Sequence, residues 1–347
     1  MTAIINNHFI IGFAAAFVLG LLLTPVFGRL SVSIGVIDYP SSRKFHLTTM
    51  PMLGGLAVAA SFTIVYLAAS KGAPPIKLIG AVSASIIMLS LGLYDDIKNL
   101  APKVKLAGQF LSAGVLLACG LRANITGVPA VDCVMTLIWF AGIANCMNLL
   151  DNIDGLAGGT AAIAGCFFFI AAAVTGKPEL ALAAVVFSGA CLGFLFHNFH
   201  PAAIFSGDAG SMFMGSMLAS FGLFFMAGDG GLSRSVTAFF PGVILGLLIF
   251  DTGLVTIMRV THGKKITDGG KDHTSHRLCN LGFSVQASVI ILFASCFIFG
   301  AAGIAMLFVA PGRAVLIPAI LFSVSVIFWF LLRKLYNYEA SAEVSGS

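Results

Sequence analysis

Charge is what this sequence has least of. Of its 347 residues only 10% are Asp, Glu, Lys or Arg, where soluble domains carry about 25%. Together with 59% hydrophobic residues and a mean hydropathy of +1.02, that scarcity excludes a water-soluble globule and describes an integral membrane protein. Clustered basic charge is also lacking. The net charge of +5 is scattered among short loops, which argues against a nucleic-acid partner. The seven cysteines, at 119, 133, 146, 166, 191, 279 and 296, lie mostly inside apolar runs, and none form a Cys-x-x-Cys pair. A disulfide framework and a structural zinc site are therefore not suggested. No internal repeat appears, and no low-complexity segment beyond a short Glu/Ser tail. No basic n-region or cleavage site accompanies the first apolar run, which is read as a retained helix and not a signal peptide.

What is present is a series of eleven apolar runs, at 8–28, 52–70, 77–94, 104–121, 131–150, 157–175, 180–197, 210–227, 236–259, 285–309 and 313–332. Each is about as long as the 17–25 residues that span a bilayer. The expected fold is all-α, a polytopic membrane bundle of about 10–11 transmembrane helices forming one domain over 1–335, with a short tail at 336–347. With the N-terminus outside, 13 of the 19 Lys and Arg residues fall on the inside and 6 on the outside, the sense that the positive-inside rule favours. The C-terminus is then cytoplasmic. On this map the polar segments 38–51, 95–96, 151–154, 207–208 and 272–277 all fall in inside loops. The expected active site therefore lies on the cytoplasmic face. A transporter would more often keep its polar groups at mid-membrane in interrupted, repeated helices.

Among these segments, 145–155 is the richest. Asn145, Asn148, Asp151 and Asp154 recur every three residues between two apolar runs. A three-residue step drifts by about 60° around an α-helix, so the helix must end or tighten near Asp151 if the four are to converge. Asp residues in lipid cost about 2.5–3.5 kcal/mol each at mid-membrane, so such a cluster implies a water-facing site. Asp95 and Asp96 are adjacent and point about 100° apart, which predicts different tasks and not one shared metal. Phe205, Gly207, Asp208, Gly210 and Ser211 precede a helix expected from about Met212. Small residues and a helix N-terminus suit phosphate, and Asp208 offers a hard oxygen for Mg²⁺. His273, His276 and Arg277 suit a phosphate or sugar, and a His-x-x-His zinc site lacks a third ligand. Arg43, Lys44, Phe45 and His46 mix cations with an aromatic, which suits an anionic lipid head group and equally a positively charged interfacial loop. Asp251 is the one acid deep in a span, and its task is open between lining the site and pairing with a cation. His197, His200 and His262 read as interfacial or hydrogen-bonding residues.

Taken in order, these pieces resemble the bacterial polyprenyl-phosphate N-acetylhexosamine-1-phosphate transferases. The likeness runs from about 38 to 282. It rests on Arg-Lys-x-His with Pro-x-x-Gly-Gly (43–55), Asp95-Asp96 with Lys105, and Asn-x-x-Asn-x-x-Asp-x-x-Asp-Gly-Leu (145–156). Phe-x-Gly-Asp-x-Gly-Ser (205–211) and Asp-His-x-x-His (272–276) complete it. The resemblance implies a Mg²⁺-dependent phosphotransferase, with Mn²⁺ able to substitute, in a bacterial inner membrane. It would move an N-acetylhexosamine-1-phosphate from a UDP-sugar to undecaprenyl phosphate, release UMP and start a cell-envelope glycan such as O-antigen or cell wall. A homodimer is compatible with it. It implies catalytic Asp95, Asp96 and Asp208, with Asp208 and Asp95 on the metal. Asn148, Asp151, Asp154 and Phe205 would hold the nucleotide, Phe205 by stacking. Lys105, His273, His276 and Arg277 would hold diphosphate and sugar, and Arg43, Lys44 and His46 the lipid phosphate. Two positions depart from the family's pattern: Asn152 stands where Gly is usual, and Ser275 stands in the middle of the histidine cluster. The last loop looks closer to the hexosamine branch than to the phospho-MurNAc-pentapeptide transferases, which are the alternative enzyme. A non-catalytic transporter is the alternative of another class.

Overall fold

A computed structural model of the chain describes residues 7–39, 49–228, 232–263, 265, 270, 272–328 and 330. The described residues form a helical bundle. In order it comprises α1 (Asn7–Ile34), a short hairpin of β1 (Ile37–Asp38) and β2 (Met50–Pro51), α2 (Gly54–Ala69), α3 (Ile76–Lys98) and α4 (Pro102–Ala118). There follow α5 (Pro129–Leu150), α6 (Leu156–Val174), α7 (Pro178–Asn198), α8 (Gly207–Met226), α9 (Arg234–Ile244) and α10 (Gly246–Thr261). The last described elements are α11 (Thr274–Asn280), α12 (Val285–Met306) and α13 (Pro311–Ala314), the last opening an apolar helix over Gly312–Phe328.

Among the described residues all eleven apolar runs are largely helical, so the polytopic all-α expectation stands. The count needs adjusting. Among the described residues seven helices are long and apolar enough to cross a bilayer, or eight if α9 and α10 count as one bent span. At 1.5 Å per residue, the 16 residues of α2 and the 17 of α4 reach only about 24–26 Å against a hydrocarbon core of about 30 Å. The run expected as one span at 236–259 is instead broken at Leu245, where α10 turns 71° from α9. Pro241 removes a backbone donor there, and Gly246 admits the ring of Phe299, which a Cβ would meet at 2.3 Å. The hairpin was not expected; Ile37 and Asp38 pair antiparallel with Pro51 and Met50.

The bundle is organised around α8. Its most apolar window is 94% buried, against 28% for α1 and 33% for α12, which face outward. Without water to drive helices together, close association depends on small residues that let backbones touch. Here Gly55 of α2 crosses Gly210 of α8 so tightly that a Cβ on Gly55 would lie 2.0 Å from the Gly210 Cα. Gly92 of α3 does the same against Asp208, whose carbonyl oxygen a Cβ would meet at 2.4 Å. Gly215 lets α5 approach at Ala144. Around these crossings a run of phenylalanines fills the interior, with Phe187 edge-on to Phe221 at 5.6 Å and Phe225 against Phe240 at 4.8 Å.

The α2–α8 crossing has a direct consequence. Gly55→Val should destabilise the detergent-solubilised protein by about 3 kcal/mol, the upper end of the usual overpacking range. Thermal unfolding of the purified variant would show this, and wild-type stability would refute the crossing.

Candidate active site

The turn between α3 and α4 sets the site. Asn99 closes α3 in the left-handed region at φ 50° and donates its N–H to the Asp95 carbonyl at 2.8 Å. Pro102 opens α4 at a position where its missing N–H is harmless. So short a turn lays the start of α4 beside the end of α3. Lys105 then reaches Asp95 Oδ2 at 2.7 Å, while Leu100 N–H holds Asp95 Oδ1 at 2.6 Å.

The same ammonium donates to Asp208 Oδ2 on α8 at 2.6 Å and to Asn148 Oδ1 on α5 at 3.3 Å. Asn148 in turn donates through Nδ2 to Asp208 Oδ1 at 2.8 Å and Ser211 Oγ at 2.9 Å. Four helices thus meet in one network: α3 brings Asp95, α4 Lys105, α5 Asn148, and α8 Asp208 with Ser211. Asp208 is more open than its acidic partner, with 36% of its side chain exposed against 12% for Asp95.

Asp96 does something different, as the angular argument predicted. Its two oxygens accept the backbone N–H groups of Asp208 at 2.8 Å and Ala209 at 3.1 Å. The carboxylate of α3 therefore caps α8, where the helix dipole also favours it. Gly92, one turn earlier, supplies the close approach that lets Asp96 reach. Gly207 is at φ +69°, and a Cβ there would meet Asp96 Oδ2 at 2.6 Å. This cap starts α8 at Gly207, five residues before the expected position. It also corrects one expectation: two of the first N–H groups of α8 are already bonded to Asp96 and do not wait for phosphate.

The loop after α5 carries the second half of the site. The helix ends at Leu150 with Asp151 as its cap residue, where the spacing predicted. Ser206 Oγ donates to Asp151 Oδ2. Phe205, half-buried, is held next to it by backbone pairing, with its N–H to Pro51 O at 2.8 Å and its O from Gly54 N–H at 3.0 Å. The Gly54-Gly55 pair thus keeps α2 close enough to pair with 205–206. Asp154 accepts from Ala202 N–H at 3.1 Å and pairs with His200 Nδ1 at 2.7 Å. It fastens the loop that leads to Phe205, and the peptide before Pro201 is cis. Asn198 completes the fastening by accepting from Gly155 N–H and donating to Ile204 O.

Comparisons with known proteins identify the family. The model of glycosyl transferase family 4 matches residues 78–226, the stretch from α3 to the end of α8. A Bacillus subtilis (strain 168) protein named probable undecaprenyl-phosphate N-acetylglucosaminyl 1-phosphate transferase is 33% identical over 309 residues, 86% of this chain and 84% of the relative. A decaprenyl-phosphate N-acetylglucosaminephosphotransferase from Mycobacterium tuberculosis (strain ATCC 25618 / H37Rv) is 31% identical over 326 residues, 82% of this chain and 78% of its own. The chain belongs to the polyprenyl-phosphate N-acetylhexosamine-1-phosphate transferase family. A phospho-N-acetylmuramoyl-pentapeptide-transferase from Thermosynechococcus vestitus is also similar, at 31% identity, but over 62% of each chain.

The family's remaining motif lies on the last loop. His273 Nδ1 pairs with Asp251 Oδ2 at 2.7 Å, and its ring centroid lies 5.9 Å from that of His276. Arg277 Nε donates to Asp272 O at 3.0 Å, and Arg259 Nε to Asp272 Oδ2 at 3.1 Å. The loop is joined to the rest of the site by Ser275 Oγ, which donates to Asn152 Oδ1 at 2.5 Å. The two positions that depart from the family's pattern therefore touch each other. Asn152 needs no glycine-like backbone, since among the described residues only Asn99 is a non-glycine with positive φ. Arg43, Lys44 and His46 lie outside the described residues. His197 and His262 hydrogen-bond to backbone carbonyls of Leu21 and Met258.

Sequence reasoning missed several members. Gln109, one turn after Lys105, exchanges two hydrogen bonds with Asn145, at 2.9 and 2.7 Å, and so locks α4 against α5. A buried polar residue one turn from a site lysine was the available signal. Ser206 and Ser211 lay inside a quoted motif without a task.

Burial raises the carboxyl of Asp151 from its ordinary 3.8 to about 7; the Ser206 hydrogen bond lowers it, and the charges of Asp208 and Asp154 raise it further. A carboxyl with a raised folded-state pKa binds its proton more tightly in the folded protein than in the unfolded chain. Its stabilising contribution is complete below pH 3.8 and is lost as the pH rises through about 7. Metal-free wild type should therefore lose more thermal stability than Asp151→Asn between those pH values; parallel curves for the two proteins would refute the shift.

Proposed function

We propose that this enzyme transfers an N-acetylhexosamine-1-phosphate, GlcNAc-like, from a UDP-sugar to undecaprenyl phosphate and releases UMP. The observation that carries the reading is the convergence of Asp95, Lys105, Asn148 and Asp208 from four helices on one point at the end of the bundle. Relatives named as N-acetylglucosamine phosphotransferases match over more than four-fifths of the chain, while the pentapeptide transferase matches over less, which favours the hexosamine donor.

The residues fit a Mg²⁺ ion. Asp95 and Asp208 already turn their oxygens toward one cation, the Lys105 ammonium, and the Asn148 carbonyl oxygen stands beside them. Mg²⁺ takes one or two carboxylates plus waters and substrate phosphates, so no third acidic ligand is required. When bound it would neutralise charge on the diphosphate and on the departing UMP.

The chain's own groups supply the rest. Phosphoryl transfer depends on alignment and charge neutralisation more than on covalent chemistry from the protein. In this reading an oxygen of the lipid phosphate forms a bond to the β-phosphorus of the UDP-sugar, and the bond to the oxygen bridging the two phosphorus atoms breaks. Lys105 binds the diphosphate as well as separating the two carboxylates. Asp95 accepts a proton from the lipid phosphate where that phosphate arrives protonated. Asp96 serves by holding Asp208 in place, because both its oxygens are engaged with α8. Phe205 offers its ring to uracil, with Asp151 alongside through Ser206 and with Asn148 and Asp154 fixing the two ends of that pocket. His273, His276 and Arg277, buried on the last loop, are assigned to the sugar and phosphates, and Arg43, Lys44 and His46 to the lipid phosphate. We read this end of the bundle as cytoplasmic, in a bacterial inner membrane with the N-terminus outside; the basic residues gathered in the loops that carry the site support that reading.

The direct test is UMP release from purified protein with Mg²⁺, undecaprenyl phosphate and a panel of UDP-N-acetylhexosamines. Release with one of them is expected, and none with any would overturn the reading. Asp208→Asn should lower turnover by at least about 1,000-fold, as loss of one essential electrostatic group does, while the protein stays folded and membrane-inserted. Near-normal turnover would remove Asp208 from the metal.

A further inference from the structure

Asp251 has no task in the mechanism above, yet it is a carboxylate in the middle of α10 with 2% of its side chain exposed. A buried charge is retained against a heavy desolvation penalty only where its partners need it. Its two oxygens have separate partners. Oδ1 accepts the backbone N–H of Thr274 at 2.8 Å, at the start of α11, and Oδ2 pairs with His273 Nδ1 at 2.7 Å. An asparagine would satisfy the first. Only a carboxylate offers a second acceptor to the imidazole.

We propose that Asp251 is a positioning residue that holds His273 with its proton on Nδ1, leaving Nε2 as the nitrogen turned to the substrate. The two side chains are 2% and 5% exposed, so water does not compete for the Nδ1 bond. A carboxylate has no proton to give at neutral pH, so the shared hydrogen belongs to Nδ1, and the tautomer follows. Orientation is fixed twice more. Thr274 N–H anchors the residue after His273, and Ser275 is tied to Asn152 on the loop beside Asp151. The segment that carries the ring is thus tied to α10 on one side and to the 151–155 loop on the other. Among the described residues His276 lies beside the ring, Asp272, bonded to Arg259 and Arg277, precedes it, and Cys146 of α5 lies near Asp251.

This inference rests on the reading that His273 faces the donor, and the two can be separated. In Asp251→Asn the single amide oxygen goes to Thr274 N–H, so the NH₂ faces Nδ1, which must then accept, and the proton moves to Nε2. The experiment is ¹⁵N NMR of histidine-labelled protein, with His273→Asn used to identify the resonance, together with steady-state UMP release. The wild type should show His273 protonated at Nδ1 in its neutral form, and Asp251→Asn should show Nε2 protonated. Turnover of Asp251→Asn should fall by about 100-fold, the usual weight of a positioned acid–base group, with KM changed less than about threefold. Asp251→Asn/His273→Asn should be no slower than His273→Asn alone, because Asp251 acts through His273.

A wild-type Nε2–H tautomer would overturn the inference, and so would an Asp251→Asn enzyme within about twofold of wild type. A double variant more than about tenfold below His273→Asn would also overturn it, since it would reveal a role independent of the ring. Should Asp251→Asn fail to fold, the wild-type spectrum still decides. A fully active His273→Asn would remove His273 from the donor site, and the tautomer would still decide for or against Asp251.

Discussion

Everything at the end of the bundle depends on one ammonium shared by two carboxylates. Asp95 and Asp208 come from helices far apart in the chain and meet at the Lys105 nitrogen within 2.7 and 2.6 Å. Two carboxylates meeting at one point repel each other, and the ammonium between them more than offsets that repulsion, since it contacts both at shorter range than they contact each other. That requirement propagates into the backbone. Lys105 reaches both acids only because the 99–101 turn is short, and α8 comes close enough only because Gly92 and Gly207 carry no side chain. The chemistry and the small-residue packing are one constraint seen at two scales.

The same logic separates residues that fasten from residues that face the open site. Asp96, Asp154, Asn145 and Asn198 have their polar atoms engaged by backbone or by a partner amide. Asp208 is partly open, and Phe205 is half-buried with its backbone pinned. A binding site in a membrane protein needs both sets, because a loop at the membrane boundary has no core of its own to hold it.

The three-residue spacing at 145–154 shows how much was legible in the sequence. A drift of about 60° per step predicted that the four side chains would not converge unless the helix ended. It does end, at Leu150, and the four nonetheless reach four different neighbours: Gln109 of α4, Asp208 of α8, Ser206 before α8, and His200 with Ala202 after α7. The pattern was legible because polar residues are rare here, so each one in an apolar chain carries information. Their partners were not, since Gln109 and Ser206 are unremarkable in isolation and acquire meaning only once α4 and α8 are docked. The early start of α8 was invisible for the same reason: its cap, Asp96, lies 112 residues before Asp208. α2 and α4 were counted as spans because apolarity alone does not set length.

The break between α9 and α10 is the last feature that the hydropathy concealed. A straight helix through 236–259 would continue in line with α9, but the 71° turn at Leu245 carries α10 along a different path. From there it holds the last loop at two points. Asp251 binds the start of α11 through His273 and Thr274, and Arg259, two turns later, binds Asp272 just before it. Ser275 adds a third point on the opposite side, through Asn152. A segment fixed on three sides loses little further entropy when it meets a ligand, which is the energetic argument for building it on a bent helix rather than leaving it a free loop. In this fold the break is therefore part of the site, since it directs a helix of the bundle to the one loop that has no long helix of its own.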